Sequence, residues 1–485
     1  MARYDAVIIG AGLGGLTAGA ILARQGRKVL VIERGNSVGG AASSYKVGDL
    51  FVEGSLQLTS APQHPQDPKH DVLTRAGVLD MVEWVPSGAL YQVRGGPLDR
   101  PFVLPDDFER ARAALLARFP HVQAGITTLL DELQTSAAAA ALPTAGELSL
   151  AQRLDQLFGD DEAVKCAVAG NLCYLHDDPA QLSWNAFAAV QGSFLQSGGR
   201  FVKGGSQRLS SALARAIMRA GGEVQLRRVV SAITLDANGA ACGIVHTARD
   251  GSDPQQVEAA CVIGSAAPPV LAGLMPETAA ATLTESYAAL PPSISLFALT
   301  LGLSQPPAQF GVEAYSTHVL PSWMMRLADY AQGTQLMAGE PDGRLPPMAI
   351  VDYAAIDSGV PTPPYVLSVV GPDSPANWQG VPPDDYRARR SRWQQAIVAA
   401  LDALYPGLAD AVTHSAFNTA LSVQQYLNAP GGAVYGFAPL TGQPARSPRT
   451  VVPGLYLASA FAGLGGYSGV VQSAGVCADL ILGER

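Results

Sequence analysis

The feature that most constrains this chain is a glycine-rich turn held between two apolar runs near residue 10. Ala6 to Ile9 (AVII) is a short, continuous apolar run, as expected of a strand covered on both faces. Gly10, Gly12 and Gly15 follow with GxGxxG spacing, then a helix-like LTAGAILARQG, then a second apolar run, KVLVIE, ending in Glu33. This strand–turn–helix–strand context turns a weak glycine pattern into a dinucleotide-binding fingerprint. Gly10 permits the tight turn, Gly12 lets backbone approach a pyrophosphate, and Gly15 lets helix and strand pack closely. Amide hydrogens at the helix start face the phosphates, whose charge the helix dipole favours. Glu33 is placed to accept hydrogen bonds from a ribose diol and disfavours a 2′-phosphate.

Composition allows a large enzyme and excludes several alternatives. A chain of 485 residues is long enough for two or three units, and 48% hydrophobic residues supply ample core. The net charge of −9 argues against a nucleic-acid partner. Five cysteines (Cys166, Cys173, Cys242, Cys261, Cys477) form no CxxC pair and read as reduced thiols of a cytoplasmic protein. The opening MARYDAVIIGAG leads straight into a strand and lacks the regions of an export signal. No apolar run is long enough to span a bilayer, and SAAAAALP is too short and too alanine-rich to serve. The seven histidines show no HExxH or other paired spacing, so no metal is expected.

After Glu33 the chain continues RGNSVGGAASSY, with a second glycine pair at Gly39–Gly40. This resembles the element of two-dinucleotide-binding flavoproteins that brings a second backbone segment against the diphosphate of FAD. More widely, the sequence resembles the phytoene desaturase, carotenoid isomerase and retinol saturase group of the amine-oxidase-like flavoproteins. Four stretches carry the likeness: the N-terminal segment through DLFVEGSLQLTS, GGRFVKGGSQRLSSALARAIMRAGGEVQLRRVVSAITLDANGAACGIV, ACVIGSAAPPVL, and the C-terminal FNTALSVQQYLNAPGGAVYGFAP with PGLYLASAFAGLGGYSGVVQSAGVCADLIL. Residues 60–190 and 280–410 are similar only diffusely. The residues alone add that Leu209, Leu213, Ala216 and Ile217 share one helical face, that EVQLRRVVSAITLD is strand material, and that Asn238–Gly239 is a hairpin turn.

The resemblance implies an α/β fold: a Rossmann-type FAD-binding domain, a mixed-sheet substrate domain and a helical cap. The expected division is 1–75, 196–280 and 421–485 for the FAD-binding domain, 76–195 for the cap and substrate region, and 281–420 for the substrate domain. FAD contacts are implied at Gly10, Gly12, Leu13, Gly14, Gly15, Glu33, Arg34, Gly39, Gly40, Ala41, Gly54, Ser55, Val230, Ala460, Gly469, Val470 and Val471. Val230 would meet the adenine through its backbone, and Gly54 and Ser55 would lie beside the flavin. The cluster Gly463, Gly465, Gly466 and Gly469 precedes a helix expected to begin near Val470, a second helix N-terminus aimed at the same cofactor. Two departures stand out: Ala460 replaces an aspartate common in relatives, and Ala41 replaces an arginine.

For activity, the resemblance implies FAD-dependent chemistry on carbon–carbon bonds of an apolar polyene or isoprenoid molecule: desaturation, saturation or cis–trans isomerisation. The electron partner would be oxygen, a quinone or a separate reductant, and an apolar substrate suggests peripheral membrane contact. Amine or amino-acid oxidation on the same fold is the rival, and a flavin-binding scaffold without turnover is another. Tyr435 in AVYGF is the candidate for a side chain facing the flavin, with a structural tyrosine as the competing assignment. His176 reads as a cap or turn histidine, and Asp177 and Asp178 as solvated or helix-capping acids. Trp323, Met324 and Met325 fit either a tunnel lining or plain core. Pro62, Pro65 and Pro68 stiffen a loop, FERARAALLARF reads as an amphipathic helix, and PSISLFALTLGL alternates like a half-buried strand.

Overall fold

The computed structural model describes residues 3–55, 57–139, 147–444 and 446–483. The alanine-rich SAAAAALP stretch runs partly outside these residues. The first apolar run becomes the strand Arg3–Ile9, central in a seven-stranded sheet. It is flanked in parallel by Val29–Ile32 and then Glu223–Gln225 on one side, and by Gln255–Gly264 and then Leu455–Leu457 on the other. The antiparallel strands Arg228–Leu235 and Ala241–Ala248 continue the sheet from the first half of Gln255–Gly264.

Parallel strands need crossovers, and helices accordingly cover the sheet. Helices Leu13–Arg24, Gln207–Arg219 and Gly466–Gly483 lay Leu16, Ile21, Leu209, Leu213, Ile217, Val471 and Ala474 against Ile8, Val29 and Ile263 in one core. The shared face of Leu209, Leu213, Ala216 and Ile217 is buried as expected. The stretch EVQLRRVVSAITLD is not one strand. It breaks after Gln225, and Arg227 takes a φ of 59°, because the chain must turn from the parallel ladder into the hairpin. The hairpin reverses at residues 236–240, where Asp236 N–H donates to Ala240 O at 2.8 Å.

A second seven-stranded sheet is mixed. In spatial order it runs Val412–Asn418, Ser295–Leu303, Tyr365–Asp373, Met348–Asp352, Ser316–Leu320, Tyr91–Gly95 and Phe102–Leu104. The last two strands come from the stretch expected to be cap, which is therefore not wholly helical. Helix Pro383–Leu404 packs Trp393, Ile397 and Leu401 on one face, against Phe297, Leu299 and Leu301. Ser295–Leu303 is consequently buried on both faces from Leu299 onward rather than half-buried. On the opposite face the helices of residues 108–197 contribute Leu115, Ile126, Leu130, Leu154 and Phe187 to a core with Tyr91, Val93 and Leu320. Phe108–Arg118 is one of these helices, capped by Asp107, whose side chain accepts from Arg110 N–H.

The two ends of the chain meet at the first glycine turn. Ala458 N–H donates to Gly264 O at 2.9 Å, which extends the strand Leu455–Leu457 up to the turn. A Cβ placed on Gly14 would lie 2.2 Å from Ala458 O, so the first turn of helix Leu13–Arg24 touches the C-terminal segment backbone to backbone. No flexible side chain could move aside. We expect Gly14→Ala to lose roughly 2–3 kcal/mol or more of stability and to come out of purification depleted in flavin. Urea unfolding and the flavin-to-protein absorbance ratio check both.

Candidate active site

The site has two ends. At the first, the carboxyl edge of the parallel sheet holds the nucleotide fingerprint. Gly10 takes a φ of +93°, a region that favours glycine. Gly12 pairs with Gly39 in a parallel bridge, and Gly39 N–H donates to Ala11 O at 2.7 Å. The second glycine pair is thus laid beside the first turn. Glu33 accepts from Ala11 N–H at 2.7 Å and from Gly35 N–H at 2.6 Å, so both turns are tied to one carboxylate. Ser265 closes the underside, accepting from Gly15 N–H at 3.2 Å. Side chains would fill this cradle: a Cβ on Gly12 would come 2.9 Å from Ser265 Oγ, and one on Gly40 would come 3.3 Å from Gly12 Cα. Two apposed glycine turns with free amides and a carboxylate at the strand end fit the diphosphate and ribose of a dinucleotide.

The remaining fingerprint residues fall around this end with different parts exposed. Val230 is buried against Ile9 and Ile32, with His246 opposite it in the hairpin, which leaves its backbone as the available contact. The Arg34 guanidinium is turned away to Tyr426 O at 3.2 Å, so that residue too faces the site only through backbone. Leu13 and Val471 have buried side chains in the helical core, and Val470 packs against the same core. The final helix begins at Gly466, four residues before the expected start, so Val470 and Val471 lie within it. Ala460 is half-buried, its carbonyl lying against Gly436, where a Cβ would come 2.1 Å from Ala460 O.

At the second end lies a cavity of about 450 Å³. The glycine-rich segment Gly463–Gly469 forms one wall, with Ser55 beside it, while Tyr174, Ala186 and Val190 from the cap form another. Ser316 and His318 of the mixed sheet close a third. Gly54 positions Ser55: its amide donates to Ser43 O at 2.8 Å, and its Cβ would stand 3.1 Å from Ala41 O. Ser55 Oγ and the Tyr467 hydroxyl are 3.4 Å apart. Tyr435 lines the cavity, and burial pushes its phenol up. Its backbone is clamped, because Tyr435 N–H donates to Ser293 Oγ at 2.9 Å and Gly465 packs directly on it.

Several cavity groups carried no signal in the sequence. Gln57 receives hydrogen bonds from the Tyr174 and Tyr315 hydroxyls. Arg446 donates to Phe437 O, Gly463 O and Ala438 O at 3.0, 2.9 and 2.7 Å, and desolvation lowers its guanidinium to about 10. Behind the wall, Lys69 and Asp67 form a buried ion pair at 2.8 Å. Lys69 Nζ also donates to Ser60 Oγ at 2.6 Å and to the cavity-lining Ser468 Oγ at 2.9 Å. Burial alone would raise the Asp67 carboxyl, but the Lys69 ammonium holds it below its usual range.

Other sequence candidates fall elsewhere. His176 is a turn histidine, accepting from Asp178 N–H at 2.9 Å through Nδ1. Asp178 caps a turn through Ala180 N–H, and Asp177 accepts from Thr334. The following helix, Trp184–Ser197, takes Ser183 as its cap instead. Met324 is core, Met325 is exposed, and Trp323 donates to Leu345 O at 2.9 Å, so none lines the cavity.

Comparison with known proteins agrees with this geometry. The model of the flavin containing amine oxidoreductase family matches residues 13–482. The chain belongs to that family, and its cofactor is FAD. It is 23% identical to all-trans-retinol 13,14-reductase of Rattus norvegicus over 99% of this chain and 86% of the other, and 23% identical to that of Danio rerio with the same coverage. Among solved structures, an oxidoreductase from Methanosarcina mazei matches with a TM-score of 0.65 at 16% identity, over 99% of this chain and 100% of that one. Putrescine oxidase bound to putrescine matches with a TM-score of 0.64 at 16% identity, over 99% and 98% of the two chains.

Replacing Glu33 by Gln removes an acceptor from one of two amides, and FAD should bind about 10- to 100-fold more weakly, as charge-assisted hydrogen bonds imply. Fluorescence titration of apoprotein with FAD reads this. Lys69→Met leaves a buried carboxylate unpaired and should cost about 3–5 kcal/mol. The double variant D67N/K69M should recover most of it in urea unfolding of the FAD-loaded protein.

Proposed function

We propose that the protein is an FAD-dependent oxidoreductase acting on carbon–carbon double bonds of an apolar, polyene-like molecule, with saturation as the favoured direction. The observation that carries this reading is the charge of the cavity wall. Among the described residues, no Asp or Glu lines it, and the one charged side chain that does is the Arg446 guanidinium. A protonated amine entering there would meet a like charge and no counter-ion. An uncharged, apolar molecule loses little water and meets Leu58, Leu90, Leu175, Val190 and Phe194. The retinol reductase relatives support an unsaturated apolar substrate and the direction of saturation.

Bound FAD supplies two-electron chemistry at its ring, which explains why no nucleophile–base pair is needed. The chain's own residues do the rest. The apolar walls exclude water, Tyr435 and Tyr174 bound the space in which the substrate lies, and Arg446 braces the Gly463 carbonyl of the glycine-rich wall. The electron partner is a separate reductant for saturation, or oxygen or a quinone for the reverse. No helix among the described residues is long and apolar enough to cross a membrane, and substrate delivery from a bilayer surface is part of this proposal.

The test uses FAD-loaded protein reduced with dithionite under anaerobic conditions. All-trans-retinol or another conjugated polyene should restore the oxidised flavin spectrum and leave a product with one double bond fewer. Reduction of the oxidised enzyme by putrescine or another amine, with peroxide formed in air and no reaction with any polyene, would establish the amine oxidase alternative instead.

A further inference from the structure

Saturating a double bond takes a hydride, which the reduced cofactor supplies, and a proton, which must come from the cavity wall where water is excluded. Most of the wall has none to give. Among the described residues no Asp or Glu lines the cavity, and Gln57 and Asn171 are amides. Burial pushes the phenols of Tyr91, Tyr174, Tyr435 and Tyr467 well above the usual tyrosine range, so each keeps its proton near neutrality. Burial also lowers His318 to about 3, which leaves the imidazole neutral, and Arg446 is committed to three carbonyls.

Ser468 is different, because a buried ammonium stands directly behind it. Ser468 is half-buried on the cavity wall, and Lys69, 1% exposed, donates to its Oγ at 2.9 Å. An ammonium has three N–H donors and no acceptor. The other two go to Ser60 Oγ at 2.6 Å and to Asp67, whose Oδ1 is 2.8 Å away. Ser468 therefore accepts from Lys69 and keeps its own hydroxyl hydrogen, for the cavity or for Ser60 Oγ at 3.3 Å. Burial lowers the Lys69 ammonium below the usual lysine range, and the Asp67 carboxylate limits the fall. The strand Thr59–Ser60 and the helix Trp184–Ser197 carry no charged residue. The last helix carries Asp479, bonded to Arg75 at the surface, with Tyr467 and Cys477 kept neutral by burial. Of the chain neighbours, His70 turns Nδ1 to Pro62 O at 2.8 Å, and Asp71 pairs with Arg75.

We propose that Ser468 delivers the proton of the reduction and that Lys69, held by Asp67 and Ser60, replaces it from behind the wall. This rests on the saturation reading and adds the acid that reading needs. As the double bond opens, one carbon gains the hydride with its electron pair, and the other gains the Ser468 hydroxyl hydrogen as a proton. Ser468 Oγ takes a proton from Lys69 Nζ in the same step. The alkene is reduced by two electrons and the cofactor oxidised by two, and Lys69 is left as a neutral amine beside the Asp67 carboxylate. Water entering the emptied cavity returns the proton to Lys69 through Ser468, while the separate reductant reloads the cofactor.

The test mixes dithionite-reduced, FAD-loaded protein anaerobically with all-trans-retinol or another conjugated polyene across a pH series and follows flavin reoxidation. A donor must be protonated to act, so the wild-type rate should hold at low pH and fall as pH rises through the Lys69 value. Ser468→Ala should slow reoxidation about 10²- to 10⁴-fold, the worth of a general acid, with flavin content and polyene binding unchanged. Ser468→Thr, which keeps the hydroxyl, should restore most of the rate. D67N/K69M, which removes the ammonium together with its counter-charge, should show the same loss and no alkaline fall. A readout without turnover uses oxidised, FAD-loaded protein with isotope-labelled lysine. The Lys69 NMR signal, assigned by its absence from D67N/K69M, should lose its proton at lower pH than Lys165 and Lys203, which their acid partners raise. If Ser468→Ala fails to fold, the wild-type pH profile and the Lys69 titration decide. Equal rates in wild type and Ser468→Ala, an alkaline fall that survives in D67N/K69M, or a Lys69 signal that titrates with the other two overturns this inference and leaves the saturation reading intact. Failure of every polyene to reoxidise the wild-type protein overturns both.

Discussion

The fold depends on one close contact between backbones. Gly14, in the first helical turn, and Ala458, just past the last strand, approach so nearly that a methyl group cannot be placed between them. From this contact the rest follows. The first and last helices pack in one core, and the glycine turn and the Gly463–Gly469 wall become parts of one site. One helix N-terminus then stands at the glycine turn and the other at the cavity wall. Glu33 completes the arrangement by gathering two loop amides at the end of its strand.

What the sequence made legible was the part whose physics is local. A tight turn, a close helix–strand crossing and an acid-ended strand need particular residues at fixed spacing, so Gly10 to Gly15, Glu33 and Gly39–Gly40 announce themselves. The hairpin turn at Asn238–Gly239 and the buried face of Leu209, Leu213 and Ile217 are legible for the same reason. Errors arose where tertiary packing sets the outcome. The last helix starts at Gly466 rather than near Val470. Ser183 caps the helix that Asp177 and Asp178 seemed placed to cap, because those acids serve a preceding turn and Thr334.

The cavity's chemistry was the least legible. His318, Asn171 and Arg446 are far apart in the chain and lack any motif. They become neighbours of one space only when a strand of the mixed sheet, a turn of the cap and the stretch before the final strand close around it. Lys69 and Asp67 are two residues apart in sequence, yet nothing there showed that they would be buried beneath Ser468. Electrostatic character of this kind belongs to the assembled cavity, and it separates an apolar substrate from an amine more sharply than the shared fold does.

The position of Leu455–Leu457 in the parallel sheet also bears on how the molecule is made. During synthesis on the ribosome, the edge of Gln255–Gly264 that this strand will cover emerges some two hundred residues ahead of its partner. For that interval a nascent chain carries an unpaired, strongly apolar strand edge, the type of surface on which chains stick to one another. The parallel sheet can therefore be completed only once the C-terminal segment has been made.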